Sequence, residues 1–179
     1  MDQELILAPD TLITSKTDLK GHITYCNKDF LQYSKYQESE LLGKPHNIIR
    51  HPDMPKSVFK LLWDYIQKGQ EIFAFVKNKN KYGEFYWVFA NITPSFDTQG
   101  NIIGYYSVRR KPNPTALTDI AAIYTQLKGI EKTENITGGM QWLQQLTQKA
   151  AKPYNQIILE MQMACGGLEP MQSEPIQAD

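Results

Sequence analysis

Between residues 45 and 55 the chain reads Pro45-His46-Asn47-Ile48-Ile49-Arg50-His51-Pro52-Asp53-Met54-Pro55, a dense run of charged and hydrogen-bonding side chains between two apolar helical patterns. A guanidinium offers a forked pair of donors, an imidazole offers a donor or a stacking plane, and together they suit an anionic, planar, hydrogen-bonding ligand. The three prolines stiffen the segment: Pro45 has a fixed φ, and Pro52 and Pro55 disfavour helix in His51 and Met54. No long helix can cross it. The expectation is a short helical turn at residues 46–49 and a fresh helix entered at Pro55, with Asp53 as its cap. Arg50, His51 and Asp53 are the candidate binding residues. The plainer alternative, a solvated loop with a helix cap, is equally compatible with the local chemistry. His22 and His46 read as packed or exposed residues rather than ligands.

Two asparagines, Asn78 and Asn91, interrupt otherwise apolar strand patterns. A buried amide left without a partner costs about 1–3 kcal/mol, so each needs one, in a ligand or in the backbone. Asn27 stands where it can cap a short helix. Trp63, Tyr86 and Trp87 are able to line a ring-binding cavity, although aromatics at helical or strand spacing more often build the core. No catalytic set emerges: the chain has no GxSxG, HExxH, Walker loop or kinase ATP motif. Cys26 and Cys165 belong to no CxxC pattern, which removes support for zinc, covalent haem and thioredoxin chemistry and predicts a reducing, cytoplasmic setting.

The elements that must position these groups are legible from periodicity. Residues 12–15 and 22–26 form a β-hairpin around the turn 18–21, and short helical turns follow from Asn27 to Gly43. Val58, Phe59, Leu62, Trp63 and Ile66 make the stripe of an amphipathic helix. Strands at 72–79, 85–95 and 102–111 are joined by hairpin-length connections at Tyr82-Gly83 and residues 97–100. Two strands, helices, then a three-strand meander imply an α+β fold with an antiparallel sheet and helices on one face. The last strands are apolar at successive positions, so both sheet faces should be covered. Beyond Pro112 three helical stripes are expected, at residues 120–127, 142–146 and 157–161, broken at Gly138-Gly139 and Pro153.

The segment 45–55, with Val76-Lys77-Asn78, Phe85-Tyr86-Trp87-Val88 and Gly104-Tyr105 to Arg109 at matching spacings, resembles the flavin-binding PAS domain of Aer-type bacterial aerotaxis receptors over about residues 10 to 130. The resemblance implies a five-stranded PAS fold, a non-covalently bound FAD, and Arg50, His51, Asp53, Asn78, Asn91, Asn27, Trp63 and Trp87 as cofactor-binding candidates. It also implies a redox or energy sensor that signals to a chemoreceptor-like partner, with a homodimer as a further option. Ile72 departs from the pattern, since many family members carry a tryptophan there. LOV-type photochemistry is not expected, because that mechanism needs a cysteine over the flavin and residues 45–54 contain none. Two alternatives stand beside this reading: a haem b gas sensor using His46 or His51, and a cofactor-free interaction adaptor.

The totals set outer limits. Lys and Arg number 19 and Asp and Glu 19, so no overall field steers the chain to nucleic acid or to an anionic membrane. No window reaches the ~20 apolar residues needed to span a bilayer. The expected organisation is a leader at 1–10, a sensor domain at 11–112, a helical docking element at 113–165 and a tail at 166–179.

Overall fold

The computed structural model describes residues 3–164. Cys165 and the expected tail at 166–179 lie outside the described residues. Five strands, β1 (Ile13–Thr17), β2 (Ile23–Cys26), β3 (Ile72–Lys79), β4 (Phe85–Phe96) and β5 (Ile102–Arg110), form one antiparallel sheet in the order β2-β1-β5-β4-β3. The hairpin and the meander arise from glycine-bearing turns. Gly21, Gly83 and Gly100 sit at φ of 83°, 90° and 83°, a conformation that costs a glycine nothing. Between β2 and β3 run α1 (Lys28–Ser34), α2 (Glu38–Leu41), a 3-10 turn (His46–Ile49) and α3 (Lys56–Ile66). They cover one sheet face.

The opposite face carries Phe73, Phe75, Trp87 and Phe89 and is covered by α4 (Pro114–Ala150) and α5 (Tyr154–Met163). Ile120, Tyr124 and Leu127 of α4 are buried there, and the Tyr124 hydroxyl donates to the Phe75 carbonyl at 2.6 Å. The run of successive apolar residues is explained: each strand buries both faces. α4 is not one rod. It breaks at Asn135 (φ 57°, ψ −163°), whose side chain accepts from Thr137 N–H at 2.9 Å and so starts a second helical half. The break falls before Gly138 and Gly139, not at them. Those glycines lie inside the second half, where a Cβ on Gly139 would stand 2.7 Å from Ser57 Oγ of α3. They were selected by close approach, which sequence periodicity cannot separate from helix breaking.

As the outer strand, β3 would present bare backbone on one side, and other elements occupy it. Asn155 of α5 accepts from Phe73 N–H at 2.9 Å and donates to Glu71 C=O at 2.9 Å. Further along, Lys77 N–H meets Met54 Sδ at 3.2 Å and its carbonyl accepts from His51 N–H at 3.3 Å. Leader residues also lie along this domain: Leu5 N–H donates to Phe85 C=O, and Ala8 N–H to the Tyr33 hydroxyl.

Candidate functional site

Alternation along each strand decides which side chains enter the space between sheet and helices. Odd positions of β1 and β5 (Ser15, Thr17, Tyr105, Ser107, Arg109) and even positions of β3 and β4 (Val76, Asn78, Ala90, Ile92) face one cavity of about 210 Å³. Its other wall comes from His46, Asn47 and Arg50 and from Phe59, Leu62, Trp63 and Ile66 of α3. The lining is apolar toward α3 and polar toward β5, as expected where a flat ring system is to be oriented by a few placed groups.

Four buried side-chain atoms on this sheet face have no hydrogen-bond partner among the described residues: Asn78 Nδ2, Tyr86 Oη, Ser107 Oγ and Arg109 Nη1. Tyr86 stands directly across from Asn78 in the β3–β4 register. Buried polar groups are nearly always paired, and each orphan costs about 1–3 kcal/mol, so four on one face mark a place prepared for a polar ligand.

Arg109 is the most costly of them. It is 5% exposed, and among the described residues no carboxylate pairs with it. Its Nη2 donates to Ser15 Oγ at 3.0 Å and lies 2.6 Å from His46 Nε2. A guanidinium only donates, so Nε2 accepts and the neutral imidazole carries its proton on Nδ1. Burial, reinforced by the Arg109 charge, pushes His46 down to about 3, and burial pushes Arg109 down to about 10. His46 is neutral in the folded protein. Burial likewise pushes Tyr86 far up, which keeps its hydroxyl protonated as a donor.

At the mouth, the Arg50 guanidinium lies 3.7 Å from the Phe59 ring centroid, and its backbone bridges to Asn78. His51 and Asp53 lie outside the cavity lining. His51 is 6% exposed and packs edge-on to Phe85, while its Nδ1 accepts from Asp53 N–H at 3.1 Å. Asp53 pairs with Lys77 at 2.7 Å, which holds its carboxyl below the usual range. These two residues pin the segment to β3 and so aim Arg50. The cap of α3 is not Asp53. It comes from Glu131 of α4, which accepts from Lys56 N–H at 3.0 Å and from Ser57 N–H and Oγ at 2.7 Å.

Of the residues singled out in the sequence, Arg50, Trp63 and Asn78 line the cavity. Asn27 ties β1 to α1, with Oδ1 accepting from Thr14 and Phe30 N–H at 3.0 Å each and Nδ2 donating to Leu12 C=O. Trp87 packs against Tyr124 on the outer face, and Asn91 donates to Glu71 at 3.1 Å on that same face. Ser107 and Arg109 were not singled out as binding residues, and His46 entered only as a ligand in the haem alternative. The available signal was the polar period-two series Tyr105, Ser107, Arg109 in a strand whose register places it centrally.

A family model described as the PAS fold matches residues 23–109. The chain carries a PAS domain. It is related to the aerotaxis receptor of Escherichia coli (strain K12), 39% identical over 138 residues that make up 77% of this chain and 27% of the receptor. The nitrogen fixation regulatory protein of Klebsiella pneumoniae is 26% identical over 62% of this chain and 21% of that protein. The chain thus spans about a quarter of the length of these relatives. Among solved structures, the light-state blue-light photoreceptor Aureochrome1 LOV superposes with a TM-score of 0.54 over 69% of this chain and 94% of that one, at 21% identity. These relatives are named as a receptor and a regulatory protein. Among the described residues no helix is long and apolar enough to cross a membrane.

Proposed function

We propose that this PAS domain is a redox sensor that binds FAD non-covalently and reports its state to a separate signalling protein of the chemoreceptor kind. Three orphaned polar atoms on the cavity wall, Asn78 Nδ2, Ser107 Oγ and Arg109 Nη1, carry the reading. A flavin's pyrimidine edge offers the acceptors and donors that Asn78, Ser107 and Arg109 lack, and its apolar rim suits Leu62, Trp63 and Ile66. A cavity of about 210 Å³ takes the ring system rather than a whole dinucleotide, so the phosphates would run out past Arg50 at the mouth. The kinship with an aerotaxis receptor supports the sensory role.

When bound, the flavin would supply reversible electron uptake. The chain's own part is electrostatic and positional. Arg109 holds a positive charge in a buried site, neutral His46 orients it through Nε2, and Asn78 presents an amide to the ring edge. A change of charge on the ligand alters what these groups must satisfy, and β3 and β5 carry that change into the sheet. A haem in this cavity would need a histidine nitrogen there, but His46 Nε2 already accepts from Arg109 with the proton on Nδ1, and His51 lies outside the cavity lining.

The absorption spectrum of protein purified from cells tests the proposal. Flavin bands that leave the protein on denaturation are expected. A Soret band, or no visible absorption after incubation with FAD, would refute it.

A further inference from the structure

The connector between Arg50 and α3 is gripped from outside by one turn of α4. Lys128 Nζ donates to the Pro52 carbonyl, and Glu131, three residues on and therefore on the same helix face, caps the N-terminus of α3 through Lys56 and Ser57. Pro55, the N-cap residue, supplies no side-chain bond there, so a carboxylate from 74 residues away answers the free N–H groups. Ser57 is fully buried, and Gly139 packs directly on it. The strained Asn135 lies between these contacts.

We propose that Lys128 and Glu131 are a two-point clamp that passes ligand state from the segment 50–55 to the second half of α4, residues 136–150. For the identity of the ligand the inference rests on the FAD reading. Arg50 faces the cavity at one end of the gripped segment and Glu131 holds the other end, so an anionic group taken up by Arg50 brings negative charge toward the Glu131 carboxylate. Glu131 is within electrostatic reach of Arg50, opposing the effect of burial on that guanidinium. Phosphate binding therefore weakens the grip of Glu131, and the helix beyond Asn135 is freed at the hinge. Linkage requires the reverse effect with equal strength: opening the clamp favours the ligand.

Hydrogen exchange of the full chain, with FAD bound and with flavin removed, tests this. Residues 136–150 contribute nothing to the cavity wall. They should nevertheless exchange faster when FAD is bound. Glu131→Gln should exchange at the faster rate in both states, and its FAD dissociation constant should fall about fivefold or more. A cap that only stabilises α3 would leave affinity unchanged or weaken it. Lys128→Met, which removes the other grip and leaves the α3 cap in place, should reduce the exchange difference on its own and decides the matter if Glu131→Gln does not fold. Equal exchange of 136–150 in the two states of the native chain, or an undiminished difference in the variants, overturns the clamp while leaving the FAD reading intact. A chain that binds no FAD at all overturns both.

Discussion

His46 shows how one side chain ties stability to pH. Its value is about 3 in the folded protein against an ordinary 6.5, so folding favours the neutral ring. The contribution is fully present above pH 6.5 and drains away as pH falls toward about 3, because the unfolded chain takes up the proton first. Between pH 6.5 and 5 this amounts to about 2 kcal/mol at ~1.4 kcal/mol per unit, less whatever the water reaching its cavity-facing side returns. Urea unfolding of flavin-free protein across that window should show the loss, and His46→Gln should flatten it. A parallel decline in both proteins would assign the effect to other groups. Asn78 and Asn91 give a second contrast. In flavin-loaded protein Asn78→Asp should lower the midpoint potential, since a carboxylate in the cavity opposes added electrons. Asn91→Asp should leave it unchanged, because that side chain faces Glu71 across the sheet. Equal shifts in a spectroelectrochemical titration would contradict this assignment. Neither the isolation of Arg109 nor its hold on His46 was legible in the sequence. Both depend on the β1–β5 register, which sets Ser15 opposite Ser107 and brings residue 109 over residue 46, and a one-dimensional pattern carries no such distance.

At the scale of elements the strands were legible and the long helix was not. Alternation, hairpin turns and the proline-limited connector predicted β1 to β5, the turn at His46–Ile49 and α3 within a residue or two of their ends. α4 was misjudged because a glycine pair looks the same whether it ends a helix or lets another backbone come close. The two cases are separable by mutation. Gly139→Ala should cost about 1–3 kcal/mol, since its methyl would press on Ser57 and push the second half of α4 off α3. Gly129→Ala, in the first half of α4 with nothing near its Cβ, should raise stability by about 0.5–1 kcal/mol through helix propensity alone. Thermal melts of the two variants check the pair. If Gly139→Ala is also stabilising, the contact between α4 and Ser57 is not tight.

The whole molecule is a sheet wrapped on both sides by one chain, with α4 and α5 running from its outer face to the helices over the cavity. α5 buries only Tyr154 and Ile158 deeply, so its larger role is at the rim. Asn155→Ala should therefore leave the core packed and cost about 1–3 kcal/mol from the two backbone groups it deserts. Size-exclusion chromatography at rising concentration should show self-association beyond that of the native chain. A variant that stays in the native oligomeric state would mean that water answers those groups as well as the amide does.

The same rim decides how this domain can meet another protein. Four outward backbone groups, Phe73 N–H, Phe75 C=O and both groups of Lys77, are already answered by an amide, a phenol, a thioether and a neighbouring peptide N–H. A visiting chain therefore meets an interrupted ladder there, with most of the rungs for a sixth strand already taken, and the addition of strands from that side is opposed. Recognition is left to side chains, whose pattern is particular to a partner, rather than to peptide groups, which every protein shares.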